Sequence, residues 1–246
     1  MMLWKMWYDL RFRFFICLAF LIVHLMFLIA VYPVAGSLAS WFRSDIPKQD
    51  WQSIRQIISN YSYFMDHGWF QEVKYISALA VIFSLGGVLT ERKTRSIYFT
   101  LSLPVERRRW ILFQSGMAFF GITLLCVVAT ALILIGGIAY GSSYSLLRAL
   151  QGTTFLALIA LPWIGATFAV ASMAQDRMKT GLIVFGCWFF MGILQAVPAI
   201  RLWLPRHLID YFMGSNSFPW QSLIVILAAG IGGILFAIKR FEKKDF

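Results

Sequence analysis

Charge is scarce in this chain. Only 13% of its 246 residues are Asp, Glu, Lys or Arg, and just 11 are acidic. Apolar residues make up 60%, and the mean hydropathy is +0.73. A water-soluble domain of this length could not cover so much apolar surface, which excludes a soluble globular fold. Cysteine is equally sparse. Cys17, Cys126 and Cys187 all fall inside apolar stretches, where they read as packing residues rather than a disulfide framework or a metal site. Neither the phosphate-loop pattern Gly-x-x-x-x-Gly-Lys-Ser/Thr nor a His-Glu-x-x-His pair occurs. The chain therefore lacks these means of binding ATP or catalytic zinc, and His67 and His207 have no ligand spacing.

What the chain does have is long apolar runs. A hydrocarbon core of about 30 Å needs roughly 20 helical residues per crossing. Runs that fit lie at about 14–34, 75–90, 111–138, 152–174, 180–200 and 220–238. The expected fold is an all-α polytopic membrane protein, a six-helix transmembrane bundle with short interfacial helices, forming one domain over 1–246. Residues 1–13 mix Trp4, Trp7, Tyr8 and Phe12 with Lys5, Arg11 and Arg13, which suits a short interfacial helix. The run that follows is too long for a signal-peptide core and reads as an uncleaved first span. In the polar stretch 36–74, Trp51, Ile54, Ile58 and Tyr61 recur at helical spacing, with Asp50 as N-cap, predicting an amphipathic surface helix.

The net charge of +11 does not point to nucleic acid, because the basic residues lie between apolar spans. They suit anionic lipid headgroups and orientation signals. With the N-terminus inside, 15 of the 22 Lys and Arg residues fall in the inner segments (1–13, 91–110, 175–179, 239–246) and 7 in the longer outer ones (36–74, 140–151, 201–219). Both termini are therefore expected in the cytoplasm, with 36–74 an external loop.

The six predicted spans hold no Asp, Glu, Lys or Arg, and His24 is their one imidazole. Coupling to an ion gradient normally needs an intramembrane charge, so a proton- or sodium-driven carrier is disfavoured. Small residues mark candidate close-packing points: Gly86 and Gly87 in the second span, Gly136 and Gly137 ending the third, and Ala229, Gly230, Gly232 and Gly233 in the sixth, where Ala229 and Gly233 form a small-xxx-small pair. Pro162 is positioned to kink the fourth span. Ser84, Thr90, Gln114 and Gln195 are scattered polar groups, suited to lining a path or to bonding backbone carbonyls.

The densest charge cluster lies between the second and third spans, TERKTRSIYFTLSLPVERRRWILFQ over 90–114. Ile97, Tyr98 and Leu101 form one apolar face of a short helix, Pro104 suits the first position of the next, and Glu106 complements its dipole. The expected geometry is an elbow along the inner leaflet, with Arg107, Arg108 and Arg109 at phosphate level and Trp110 at the interface.

This segment resembles the stretch after the second span in permease subunits of ATP-binding-cassette (ABC) transporters of the type-two exporter class. Glu91 matches the glutamate that ends the span there. Leu101-Ser102-Leu103-Pro104-Val105 matches the Leu-Pro-Val element, and Arg107 its arginine. Arg95-Ser96 stands where Gly-Thr is usual, Glu106 replaces a small polar residue, and Gln114 stands near a customary lysine. The motif covers about 25 residues, and the six-span layout extends the likeness over the chain. The resemblance implies a permease subunit without catalytic machinery, paired with a second permease and driven by separate cytoplasmic ATPase subunits that bind ATP and Mg. It implies a coupling segment over 91–110, carried by Glu91, Arg92, Lys93, Arg95, Pro104, Glu106, Arg107, Arg108 and Arg109, in a bacterial cytoplasmic membrane. The alternatives are a non-transporting anchor, immunity or assembly protein, or an enzyme acting on lipids. The last needs a polar cluster at one depth, which the sequence does not display.

Overall fold

The computed structural model describes residues 2–41, 48–70, 73–85, 107–142, 144–174, 177–194, 206–214 and 218–243. Every regular element among them is helical. The first, α1, runs unbroken over Met2–Trp41. The expected interfacial helix at 1–13 and the first span at 14–34 are thus one rod. The physical reason is plain in the sequence: no Gly or Pro interrupts it between Leu3 and Tyr32. At 40 residues the rod is about 60 Å long, twice the thickness of a hydrocarbon core. Pro33 lies inside it and deprives the Ile29 carbonyl of its usual backbone donor. The Tyr140 hydroxyl supplies a substitute, donating to the Ile29 oxygen at 3.1 Å.

The polar stretch expected as an external loop is helical where described: α2 at Lys48–Ser59, α3 at Tyr61–Met65, then a π-helical turn at Asp66–Phe70. Two details correct the sequence reading. Asp50 lies within α2 rather than at its N-cap, because the helix begins at Lys48, directly after Pro47 in the chain. Tyr61 does not extend α2; it opens α3, which Asn60 caps by accepting from the Ser62 amide at 2.8 Å. The remaining elements are α4 at Val73–Ser84, α5 at Arg107–Ala139, α6 at Leu146–Met173, α7 at Arg177–Leu194, α8 at Arg206–Phe212 and α9 at Trp220–Glu242.

Four helices among the described residues, α1, α5, α6 and α9, are long and apolar enough to cross a membrane, and the protein is an integral membrane protein. The second and fifth predicted spans correspond to shorter apolar helices, α4 and α7. Residues 86–106 and 195–205 lie outside the described residues.

α6 forms the centre of the bundle, with α9, α5, α4 and α7 around it, while α1 packs chiefly on α5. The seam between α6 and α9 is made of glycine. A Cβ on Gly165 would meet the Gly230 carbonyl oxygen and lie 3.0 Å from that of Ala229, and a Cβ on Gly233 would come 2.5 Å from the Gly165 carbonyl carbon. The two backbones touch, as small residues permit in lipid. The expected pair of Ala229 and Gly233 is thus half corrected: Gly233 lies in the seam, but Gly230 occupies the buried position and the Ala229 side chain is exposed. Gly86 and Gly87 lie outside the described residues.

The bundle has two unlike ends. At one, Trp110 at the start of α5 packs edge-on against Phe241 near the end of α9, with ring centres 6.4 Å apart. Exposed Arg108, Arg109, Lys239 and Arg240 cluster on these two helix ends. At the other end, aromatic rings gather around the turn joining α5 to α6.

Candidate functional site

The aromatic end is built by re-entry of Asn60–Phe70 into the bundle. Along this segment Tyr61, Met65, Asp66, Trp69 and Phe70 are buried. That spacing of four, one, three and one is a single helical face, so the segment presents one stripe to the core. Glycines on the facing helices make room for it. Tyr61 occupies the space a Cβ on Gly136 would need, and Phe70 fills the equivalent space at Gly152. The Tyr61 hydroxyl donates to the Ile133 carbonyl at 2.9 Å. Its ring meets Tyr32 of α1 edge-on, with centres 5.2 Å apart. Gly136 and Gly137, read as helix-packing residues, thus receive a tyrosine from the segment expected to be a loop.

Under this aromatic layer lies a polar cluster. α5 ends at a turn in which Gly141 adopts φ +65°, a left-handed conformation that glycine takes at no steric cost. The turn brings Tyr144 inward, and its hydroxyl donates to Asp66 Oδ1. Arg148, in the first turn of α6, sets its Nη2 2.7 Å from Asp66 Oδ2. The contact is within ion-pair distance but off the hydrogen-bond axis, so Oδ2 has no aligned donor and Arg148 Nε no acceptor. Asp66 is 1% exposed and Arg148 40%. The guanidinium also sits 5.3 Å above the Phe212 ring of α8, a cation–π contact, and Phe70 meets the same ring at a tilt, with centres 5.0 Å apart. Two separate stretches of chain, 60–70 and 144–148, therefore meet at one carboxylate, and α8 packs against Arg148 and Phe70 beside it.

The electrostatics follow from burial. Desolvation pushes the Asp66 carboxyl above the usual carboxylate range; the Tyr144 hydrogen bond, Arg148 through both its charge and its close contact, and the charge of His67 pull it back without cancelling that effect. Burial likewise raises Tyr144, reinforced by its bond to Asp66, and raises Tyr61. Both tyrosines are neutral donors at physiological pH. Asp66 is the only acidic residue among the buried side chains described.

Sequence reasoning passed over this cluster. The signals were present: one carboxylate inside the run Tyr61–Phe70, and a lone Arg148 at the mouth of an otherwise apolar helix. No spacing rule joins residues 82 positions apart, so only folding brings them together.

The sequence-predicted coupling residues fall at the opposite end. Arg108 and Arg109 are exposed in the first turn of α5, and Arg107 opens that helix. Glu91, Arg92, Lys93, Arg95, Pro104 and Glu106 lie outside the described residues, as do Thr90 and Gln195. Ser84 is buried and donates to the Ala80 carbonyl of its own helix at 2.8 Å. Gln114 is buried on α5 with its Oε1 unpartnered. Deeper in the bundle, the hydroxyls of Thr130 and Thr153 meet across α5 and α6, each also within reach of a carbonyl on its own helix. With one proton each, one bonds across the interface while the other bonds back. His24 sits against Tyr75, with ring centres 4.7 Å apart, as a packing residue with its Nε2 unpartnered.

Among the described residues no three His, Cys, Asp or Glu side chains are grouped to hold a metal ion. Cys17 and Cys126 are buried free thiols, and Cys187 is exposed. No protein-family model, curated protein or solved structure matches the chain.

Proposed function

We propose that this chain is the membrane-spanning permease subunit of an ATP-driven ABC exporter. Six spans form half of a translocation path, and a second permease subunit completes it. Energy comes from cytoplasmic ATPase subunits that bind ATP and Mg. The observation that carries the reading is the run from Glu91 through Leu101-Ser102-Leu103-Pro104-Val105 to Arg107, which feeds straight into α5.

The charge distribution supports an orientation. Arg108 and Arg109 share one end of the bundle with Lys239 and Arg240, and the positive-inside rule favours the cytoplasm for that end. Both termini are then cytoplasmic, and the aromatic end faces outward across a bacterial inner membrane. In this arrangement, ATP-driven closure of the partner subunits pulls on 91–110 and is transmitted through α5 to the bundle. The docking surface on the ATPase is acidic, complementing the basic elbow.

The test is charge reversal of Arg107, Arg108 and Arg109 together to glutamate in the full-length chain, followed by mild-detergent purification from its native membrane. The expected result is loss of a stoichiometric phosphate-loop ATPase that co-purifies with the wild type, with membrane insertion unchanged. Retention of the ATPase by the triple variant overturns the coupling assignment. A wild-type chain that purifies without any ATPase in several mild detergents favours the non-transporting anchor, immunity or assembly reading.

A further inference from the structure

The Asp66 cluster is a costly arrangement. A carboxylate 1% exposed retains one aligned hydrogen bond, from Tyr144, and an ion pair whose partner is 40% exposed to solvent. Burying a charge this way is unfavourable unless it is fully paired, and the cheaper buried form of a carboxyl group is the neutral one. The cost falls at a particular place. Asp66 lies between α3 and the tip of the re-entrant segment, and its partners sit on the α5–α6 turn and α6. Phe212 beneath Arg148 belongs to α8. Whatever favours or penalises burial of Asp66 therefore favours or penalises seating of the whole segment.

We propose that Asp66, Tyr144 and Arg148 form a proton-binding clasp that holds 60–70 in the aromatic end of the bundle, seated more firmly when Asp66 carries a proton and loosened when the carboxylate is ionised. The proton exchanges with water at the aromatic end. On protonation, Tyr144 continues to donate to Oδ1, and Arg148 turns its guanidinium back towards water above Phe212. On ionisation, the desolvation cost of the carboxylate is relieved by unseating the segment into water, where Asp66 regains its ordinary affinity for the proton. The direction follows from linkage: the seated state binds the proton more tightly, so acid favours seating and the preference fades as pH rises from the ordinary Asp value of 3.8 through the elevated one.

Other titratable groups surround the clasp and must be separated from it. His67 adjoins Asp66 on the π turn; Tyr61 and Tyr144 face it from α3 and the α5–α6 turn; His207 and Asp210 lie on α8; His24 of α1 contacts Trp69, three residues on. The clasp is independent of the transport reading and stands whether or not an ATPase partner exists.

Backbone hydrogen exchange with mass spectrometry tests it on the full-length protein in lipid nanodiscs between pH 4 and 8, with rates corrected against an unstructured reference peptide. In the wild type, protection of amides in 61–70 is expected to fall with rising pH, by up to about tenfold per unit within the titration window, while amides in α9 stay constant. Asp66→Asn, which mimics the protonated acid, is expected to keep 61–70 protected at every pH. Arg148→Gln removes the charge that favours ionisation, so the fall is expected to extend upward by about one pH unit. Constant protection in the wild type overturns the proposal. An unchanged fall in Asp66→Asn also overturns it, assigning the titration to His67 or His207. Loss of protection at all pH values in Asp66→Asn overturns it as well, showing that the ionised pair itself holds the segment.

Discussion

The α6–α9 seam and the aromatic end solve the same packing problem in opposite ways. In the seam, Gly165, Gly230 and Gly233 let two backbones touch with no side chain between them. At the aromatic end, Gly136 and Gly152 open comparable space, but Tyr61 and Phe70 fill it, and a polar cluster follows them in. The difference teaches where each kind of contact is stable. Deep in lipid an unsatisfied polar group has no water to turn to, so closeness of apolar backbone is the safe means of association. At the aromatic end Arg148 is 40% exposed, so water is within reach of the cluster, and a carboxylate, a guanidinium and two phenols are tolerated.

The sharpest way to break this contrast is to put a side chain into the seam. Gly165→Leu drives a branched side chain into the Gly230 backbone, which cannot yield as a flexible side chain would, and the expected loss is about 3 kcal/mol. Denaturant unfolding in detergent, followed by circular dichroism, reads it. The same substitution at Gly232, which faces open space on α9, is expected to change stability by no more than about 0.5 kcal/mol. Equal losses at the two positions would remove the seam from the account.

At the aromatic end, Asp66→Ala strands the buried Tyr144 hydroxyl, with an expected cost of about 2 kcal/mol at acid pH, where the carboxyl's contribution is complete. The pH dependence sharpens this. Because the folded carboxyl binds its proton more tightly than the unfolded one, the stability it contributes is complete below 3.8 and is lost as pH rises through the elevated value. The gap between wild type and Asp66→Asn should therefore change across that window, by at most about 1.4 kcal/mol per pH unit, and stay flat beyond it. A smaller loss than in the seam is expected from Tyr61→Phe, which removes one hydrogen bond to Ile133 and leaves the ring in place, about 1 kcal/mol by the same unfolding assay.

Much of the helical layout was legible in the sequence because apolar run length has few alternatives in a membrane protein. α5 covers the third predicted run, and α6 ends near the end of the fourth, but α6 starts at Leu146, more than a turn before the predicted 152. Asp50, Tyr61 and the break between 13 and 14 were read by local rules of capping and amphipathicity. Asp50 and the break fail because the helices run further than those rules place them. Tyr61 fails because Asn60–Phe70 re-enters the bundle: it turns inward where Gly136 leaves room, a fact about another helix. The Asp66 cluster was illegible for the same reason. Pro33 is a related case, since its cost to α1 is visible in the sequence but the Tyr140 hydroxyl that offsets it is not.

The sequence alone determined that this is a helical membrane protein, because the cost of exposing so much apolar surface to water, and of leaving backbone groups unpaired in lipid, permits little else. It also determined the Leu-Pro-Val run that precedes α5 and the arginines that open that helix. Only the tertiary structure decided which glycines form the α6–α9 seam, which tyrosine enters the bundle, and that Asp66, Tyr144 and Arg148 share one site. Those outcomes depend on the relative depth and rotation of helices distant in the chain, and no local pattern of residues encodes them.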